Sequence, residues 1–441
     1  MSKILFILSR YDFIRGFAPV IKRLQEQHEF GLEPVIIIPV QINTTAAIRF
    51  SEEYNLPYMK VDFVPYALKK NEEISDFIEF IITNIKSIPA YSYTKIKVNK
   101  LFNKLKPAFI VTATEGYYAD RFFLQEAKKR GIPSLCLFSV IMTEGAQAPK
   151  KIKTEGKLLY PLKILYRVYK KLVCLGFPMR DMPVPSRGDA TKIAVWGDYQ
   201  KEVFMDDGGL SEKIAITGSP AHDMIYQRRL RPSHETKTKI YRLLDIEKDK
   251  GIILFTSQPF YRDNVCTSEE QKRLTEYIID SVSKFDRYVL VIKLHPRESR
   301  EDYAYLNGHP LKHRFRLVGD TDPDLYDLIE NSQILMTQSS TTGLDGMLFG
   351  KEVITVDMLD LGDPLGYVKS GAAIGVYKEE DLVPAIKDAL YNEEVRERLA
   401  EARKKFVYER AYKQDGQASK RVVDLIMQMI EESKMENDHE K

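Results

Sequence analysis

The chain has few of the residues that mark a disulfide, zinc or membrane protein. Only three cysteines (Cys136, Cys174 and Cys266) occur among 441 residues, without a Cys-x-x-Cys pair or a Cys/His ligand spacing. A disulfide framework and a zinc site are therefore not expected, and a reducing compartment fits this composition. No apolar run approaches the length that spans a bilayer, and the first residues resemble a strand rather than a signal peptide. We therefore predict a cytoplasmic protein.

A weak net charge and several missing motifs argue against other functional classes. The formal net charge is only +3, which gives no global indication of nucleic-acid binding. The sequence contains no Walker A loop, HExxH, GxSxG or dinucleotide fingerprint, which argues against an ATPase, metalloprotease, hydrolase or dehydrogenase. The Asp-x-Asp sequence Asp322-Pro323-Asp324 stands before a predicted helix, which it can cap, rather than at the end of a strand. We accordingly predict no metal site and no cofactor.

The pattern that is present alternates strands with helices in both halves of the chain. A hydrophobic content of 44% and a charged content of 29% are those of an ordinary globular protein, and 441 residues favour two domains. Two successive runs of β–α units predict an α/β protein with two doubly wound parallel sheets facing each other across a cleft. The predicted strands are 3–9, 34–39, 57–62, 108–113, 134–140 and 192–196, then 251–256, 288–293, 314–317, 333–337, 352–356 and 372–376.

The expected domains are 1–205 and 206–410, with the junction between Gly197 and Gly218. A C-terminal helix within 411–441 is expected to return to the first domain, ahead of a charged tail. One stretch, 150–180, interrupts the alternation with many basic residues and interleaved aromatic and aliphatic ones. It suits either an anionic membrane face or a solvated helix that packs its apolar side on the first domain. Both interpretations stay open.

Two predicted strands of the second half end in polar residues that suit a phosphate group. His295 follows the strand at 288–293, and four hydroxyl side chains follow the strand at 333–337. The carboxyl ends of parallel strands are where ligands bind in such sheets, and hydroxyls and N–H groups at a helix start suit phosphate. Capping needs one hydroxyl, so four in a row favour ligand contact. The predicted binding residues here are Lys293, Pro296, Ser339, Ser340, Thr341 and Thr342.

Further candidates lie in the loops that follow other strands. His295 can donate a hydrogen bond or positive charge to a departing phosphate. Asp345 can accept the hydroxyls of a ribose or act as a helix-dipole acid in the first turn. Gly16 and Ser257 each follow a predicted strand, and Gly218 follows a strand-like run at 213–216. Loops in such places often contact substrate.

Two identical tripeptides in the first half supply candidate bases. Thr114-Glu115-Gly116 and the tripeptide at 143–145 each stand just beyond a predicted strand. A carboxylate at the carboxyl end of a strand is placed to remove a proton from an acceptor hydroxyl. Glu115 can also cap a predicted helix, whereas Glu144 precedes an irregular stretch and has no such structural role. We favour Glu144 as the base, with Glu115 close behind.

These residues resemble those of known transferases. The His-Pro pair after Lys293-Leu294, the Ser339-Ser340 turn and an upstream Glu-Gly resemble the three motifs of bacterial sialyltransferases and polysialyltransferases. Capsule 3-deoxy-manno-octulosonate (Kdo) transferases and CDP-glycerol glycerophosphotransferases are similar in the His-Pro and Ser-Ser elements. The chain is also similar to UDP-N-acetylglucosamine 2-epimerase, in residues that follow the equivalent strands and in the C-terminal helix. These last residues are Glu115, Glu144, Ser340, Asp345, Gly350, Lys351, Asp415, Gly416, Ala418, Ser419 and Arg421.

The resemblance implies a GT-B fold of two Rossmann-like domains, with the donor nucleotide held mainly by the second. It further implies an inverting, metal-independent glycosyltransferase that uses a CMP- or UDP-sugar, with a glycan or lipid-linked acceptor, in cell-surface glycan synthesis. Such an enzyme would work in the cytoplasm or at the inner face of the plasma membrane. The run after Val356 departs from the epimerase pattern. An epimerase, a CDP-glycerol-type polyol-phosphate transferase and a non-catalytic membrane-associated scaffold remain the alternatives.

Overall fold

In a computed structural model, the structure describes residues 2–10, 13–27, 31–40, 48, 51–52, 55–62, 92–116, 118–139, 188–319 and 323–439. Glu144 and the basic stretch 150–180 lie outside these ranges. The described chain divides into two units. The first contains residues up to 139, 188–223 and 410–439, and the second contains residues 224–409.

The first unit is built on a seven-stranded parallel sheet with the order β3-β2-β1-β4-β5-β6-β7. Its strands are short apolar runs rich in β-branched residues, as expected where both faces of a parallel sheet are covered. The strand order reverses between β1 and β4, which makes that point a topological switch. The strands are β1 (Ser2–Ile7), β2 (Leu32–Pro39), β3 (Tyr58–Val61), β4 (Pro107–Thr112), β5 (Ser134–Leu137), β6 (Lys192–Val195) and β7 (Ile214–Ile216).

Helices cover this sheet, and the last helix of the chain is one of them. The helices are α1 (Ile14–Glu26), α2 (92–105), α3 (Tyr118–Lys129), α4 (Asp198–Asp206) and α12 (Ala418–His439). The next helix along the chain after α4, α5 (Pro220–Leu230), begins in this unit and ends in the second. Val422 and Ile426 of α12 share one buried cluster with Phe6 and Phe17. The Asp223 carboxylate accepts the first N–H groups of α12, from Ala418 at 2.9 Å and Ser419 at 2.8 Å. The C-terminal helix therefore completes the core of the first unit.

The second unit is built on a six-stranded parallel sheet with the order β10-β9-β8-β11-β12-β13. The chain starts at the central strand β8, moves outward through β9 and β10, and returns to the other side of β8 at β11. The strands are β8 (Gly251–Thr256), β9 (Tyr288–Lys293), β10 (Phe315–Val318), β11 (Ile334–Thr337), β12 (Glu352–Val356) and β13 (Ile374–Val376). The helices are α6 (His234–Leu243), α7 (Ser268–Ser283), α8 (Leu325–Asn331), α9 (Thr342–Leu348), α10 (Glu379–Tyr391) and α11 (Glu393–Ala411).

Every predicted strand overlaps an observed strand. The sequence pattern predicted no helix at α4 or α6, and it indicated β7 only as a strand-like run, without a place in a sheet. β7 has only three residues, but it pairs with β6, and the first unit continues to Asp223. A three-residue run carries too little periodicity to be assigned without its partner strand.

One carboxyl group is buried where the strand order of the first sheet reverses. Asp120 lies in the first turn of α3, and its Oδ2 accepts hydrogen bonds from Ser9 Oγ at 2.6 Å and Thr114 Oγ1 at 3.3 Å. Its Oδ1 has no hydrogen-bond partner in the described part of the chain. Burial raises the pKa of Asp120 to about 8, although both hydrogen bonds oppose the shift. The carboxyl is therefore mostly protonated at neutral pH.

The buried carboxyl predicts a specific pH dependence of stability. Because the pKa of Asp120 is higher in the folded than in the unfolded chain, its contribution to stability is full at low pH. It falls by up to about 1.4 kcal/mol per pH unit as the pH rises from about 4 to about 8. Asp120→Asn, a neutral isostere, should remove this dependence. Thermal unfolding between pH 5 and pH 8 should then show a smaller decline of Tm than in the native protein.

The matched control is Asp206→Asn, at an exposed position at the end of α4. It should leave the decline of Tm with pH as it is in the native protein. An equal decline in Asp120→Asn and the native protein would mean that Asp120 is already ionised in the fold.

Candidate active site

The candidate site lies at the carboxyl edge of the second sheet, around the central strand β8. β9 and β11 flank β8 on its two sides, so the residues that follow these three strands are neighbours. The chain reverses its direction of travel across the sheet between β8 and β11, and ligands of doubly wound proteins bind at such a point. This geometry places the loop containing His295 on one side of β8. The turn with four hydroxyl side chains, residues 339–342, lies on the other side.

His295 is held by its backbone as well as by its ring. Its N–H donates to Ser257 Oγ at 3.2 Å and to Glu298 Oε2 at 3.0 Å. Its ring Nδ1 accepts the N–H of Arg297 at 3.1 Å. A ring that accepts at Nδ1 carries its proton on Nε2 when neutral. The half-buried imidazole is therefore arranged as a hydrogen-bond donor at Nε2.

The Glu298 carboxylate joins the ends of β8 and β9. It is buried, and its Oε2 also accepts a hydrogen bond from Ser257 Oγ. Its Oε1 accepts from the Tyr303 hydroxyl at 2.9 Å and from Gln271 Nε2 at 3.0 Å. The sequence analysis missed Glu298, although its spacing of three residues after His295 suits a side chain that returns to a backbone N–H.

The hydroxyl-rich turn, residues 339–342, is fastened to β8. The N–H of Ser339 donates to Gln258 Oε1 at 2.8 Å. The hydroxyls of Thr342 and Thr256 are 2.8 Å apart, and Ser340 Oγ accepts the N–H of Thr342 at 3.3 Å. Ser339, Ser340 and Thr342 are half-buried and Thr341 is exposed. The turn thus has a defined shape before any ligand binds.

A tyrosine from the loop after β12 supports the same turn from the other side. The Tyr367 hydroxyl donates to the carbonyl of Ser340 at 3.1 Å and accepts the N–H of Leu344 at 3.0 Å. Asp363 accepts the N–H of Tyr367 at 2.9 Å and so shapes that loop. Asp345 is half-buried on α9, one turn after the hydroxyls.

The structure therefore brings together most of the second-unit residues that the sequence singled out. His295 and Ser339 are connected through Ser257 and its neighbour Gln258, because Ser257 bonds the first and Gln258 bonds the second. Pro296 is exposed beside His295. Gln258, Glu298, Tyr303 and Tyr367 complete the arrangement, and the last three were not predicted from the sequence.

Lys293 has a structural contact at this edge. Its buried ammonium donates to the carbonyls of Gly319 and Pro323, the latter at 3.2 Å. It thereby anchors the segment that follows β10.

Three candidates of the first unit also have structural contacts. Gly16 lies inside α1 and not in a loop, and a Cβ there would lie 3.3 Å from Ser139 Oγ. Gly218 has a φ of +77° and makes room for α12, since its Cβ would lie 3.3 Å from Ala418. Glu115 is buried and its Oε1 accepts the N–H of Ala190 at 3.1 Å.

The described ranges contain neither a metal-binding cluster nor a membrane-spanning helix. Among those residues, no group of three or more His, Cys, Asp or Glu side chains could hold a metal ion. None of the helices in the same ranges is both long enough and apolar enough to cross a membrane.

Solved structures of known proteins share this fold over nearly the whole chain. UDP-GlcNAc 2-epimerase from Neisseria meningitidis, bound to UDP-GlcNAc, has a TM-score of 0.65 at 15% identity, covering 97% of this chain and 100% of its own. A variant of the wall teichoic acid polymerase TagF has a TM-score of 0.59 at 14% identity, covering 98% and 89%. A glycosyltransferase from Rickettsia africae ESF-5 has a TM-score of 0.57 at 13% identity, covering 97% and 98%. The expected fold class, two Rossmann-like units of the GT-B type, is confirmed.

Sequence comparison adds the family. Curated protein sequences give no match. A family model described as CDP-Glycerol:Poly(glycerophosphate) glycerophosphotransferase matches residues 191–428, more than half of the chain. Neither this match nor the structures above support a CMP-sugar donor or a sialyltransferase activity. The matched segment includes His295, Glu298 and the hydroxyl-rich turn, and the chain belongs to this glycerophosphotransferase family of transferases.

Proposed function

We propose that the protein transfers a polyol phosphate from a CDP-activated donor, such as CDP-glycerol, to a hydroxyl acceptor. One observation carries the proposal. The arrangement of His295, Ser257, Gln258 and Ser339 lies wholly within the segment that matches the glycerophosphotransferase family. Its chemistry is that of a phosphate site, with hydroxyls and a histidine donor at the carboxyl edge of a parallel sheet.

In the proposed reaction, the acceptor oxygen attacks the phosphorus that carries the polyol. The bond from that phosphorus to the bridging oxygen breaks, and CMP leaves with the bridging oxygen. Negative charge grows on the departing phosphate, where Nε2–H of His295 and the hydroxyls of Ser339 and Ser340 can donate hydrogen bonds. Positioning and electrostatic stabilisation account for most catalysis in phosphoryl transfer, so a preformed set of donors suits this reaction.

The proton of the acceptor hydroxyl needs a base. Glu144 remains the proposed base, and Glu115 is the second candidate. The buried Glu115 carboxylate already accepts the N–H of Ala190, which favours Glu144. Asp345 is proposed to bind the ribose of the donor.

The proposed setting is the synthesis of a cell-surface polymer. The family description names a poly(glycerophosphate), and one similar structure is a wall teichoic acid polymerase. A glycan or lipid-linked acceptor at the inner face of the plasma membrane fits these relatives. The basic stretch 150–180 is the proposed membrane contact, because basic residues alternate there with apolar ones.

The second candidate function is inverting, metal-independent transfer of a sugar from a CMP- or UDP-sugar. The same hydrogen-bond donors at the strand ends favour it, because a sugar donor also carries a nucleotide phosphate. In that reaction the acceptor attacks the anomeric carbon, and the nucleotide leaves with the former glycosidic oxygen. The products therefore distinguish the two reactions.

The identity of the donor can be tested directly. The full chain should release CMP from CDP-glycerol in the presence of a glycerol-phosphate acceptor, and the acceptor should gain one phosphodiester. CMP release and product mass should be measured in parallel with CDP-ribitol, a CMP-sugar and a UDP-sugar. Nucleotide release from a sugar donor alone, with a new glycoside in the acceptor, would overturn the proposal in favour of the second candidate. No release from any donor would contradict both.

The role of His295 can be tested by substitution. His295→Ala should lower kcat by about 100-fold or more, the usual effect of losing one donor to a developing charge. The fold should survive, because Ser257 and Glu298 bond the backbone N–H that alanine retains. His313→Ala is the control, since His313 is exposed outside the site. Unchanged turnover in His295→Ala would remove His295 from the mechanism.

A further inference from the structure

Two buried tyrosines each reach one half of the candidate site. Tyr303 and Tyr367 are both 2% exposed, so their hydroxyls need partners inside the protein. Tyr303 lies on the β9 side of β8, and Tyr367 lies in the loop after β12. Neither side chain faces solvent, so each can act only through the residues that it touches.

The Tyr303 hydroxyl acts on the His295 loop through Glu298. It donates to Glu298 Oε1 at 2.9 Å and accepts from Gln271 Nε2 at 3.1 Å. The other oxygen of Glu298 accepts the N–H of His295 at 3.0 Å. Burial raises the pKa of the Tyr303 hydroxyl, and the Glu298 charge adds to the shift, so the hydroxyl remains a donor. The position of the Glu298 carboxylate, and with it the turn that carries His295, depends on this contact.

The Tyr367 hydroxyl acts on the hydroxyl-rich turn directly. It bridges the Ser340 carbonyl and the Leu344 N–H, so it joins the hydroxyl-rich turn to the first turn of α9. The ring packs closely over Gly343, where a Cβ would lie 2.5 Å from ring carbon Cε2. It also packs edge-on against Phe406, with centroids 5.5 Å apart. These ring contacts hold Tyr367 in place without its hydroxyl.

We propose that Tyr303 and Tyr367 are positioning residues with separable effects on one reaction. Tyr303, through Glu298, orients His295 toward the departing phosphate and so governs turnover. Tyr367 holds the Ser339–Ser340 backbone in the shape that binds the donor phosphate and so governs donor affinity. This inference rests on the proposed function. It assigns different effects to the two sides of the site, which side chains at the end of β8 connect.

Tyrosine-to-phenylalanine exchange tests the division, because it removes one hydroxyl and keeps the ring. Loss of a hydrogen bond to a buried charge or backbone group costs about 1 to 2 kcal/mol, or roughly a tenfold effect. Tyr303→Phe should lower kcat about tenfold and leave the donor KM within about twofold. Tyr367→Phe should raise the donor KM about tenfold and leave kcat within about twofold.

Two readouts do not depend on turnover, and they separate this inference from the proposed function. CMP binding, measured by calorimetry with the full chain, should weaken about tenfold in Tyr367→Phe and stay unchanged in Tyr303→Phe. The ¹⁵N chemical shifts of the His295 ring can be assigned by comparison with His295→Ala. In Tyr303→Phe only, they should move toward the values of a mixture of the Nδ1–H and Nε2–H tautomers. If no donor reacts but these two readouts split as stated, the proposed function fails and the positioning roles stand.

Tyr305→Phe is the matched control. Tyr305 stacks on Tyr303, with ring centroids 6.1 Å apart, but its hydroxyl belongs to neither set of hydrogen bonds. It should behave as the native protein in every measurement. The inference is overturned if both test variants change kcat and KM together, or if both match Tyr305→Phe.

Discussion

The buried carboxylate of Glu298 is the group on which the candidate site depends. It accepts hydrogen bonds from the Ser257 and Tyr303 hydroxyls, the Gln271 amide and the His295 N–H. A carboxylate out of water is costly unless donors surround it. A path of the 295–298 backbone that moved the His295 N–H away would leave this charge with one donor fewer. The electrostatic cost of burying Glu298 therefore fixes the loop that presents His295.

The opposite side of β8 is held by neutral contacts. Gln258 and Thr256, at the end of β8, bond the hydroxyl-rich turn, and Tyr367 supports it from the β12 loop. The two sides thus reach a defined geometry by different means, one through a surrounded charge and one through backbone-directed hydrogen bonds. Donors that are already in place need no reorganisation when charge develops on a bound phosphate. This preorganisation is what a family of phosphate-transferring enzymes requires.

Several features of the fold and the site could be predicted from short stretches of sequence. The strands stand out because buried parallel strands are near-continuous apolar runs, and His295 and the hydroxyl-rich turn stand out because polar residues end such runs. The residues that support the site could not be predicted, because their hydrogen-bond partners are distant in sequence. Ser257 and Glu298 are 41 residues apart, and Gln258 and Ser339 are 81 apart. The predicted loop position of Gly16 is wrong for a related reason. Gly16 resembled a turn residue but lies within α1, where it packs against Ser139.

The sequence by itself determined the alternation of strands and helices, and with it the α/β class and the polar character of the strand ends. Only the tertiary structure decided which strand ends meet. β10 lies between β9 and β11 along the chain but at the outer edge of the sheet in space. β8 consequently separates the two halves of the site and contributes Ser257 to one and Gln258 to the other. Strand order depends on how crossover helices pack over both sheet faces, which no local pattern of residues records.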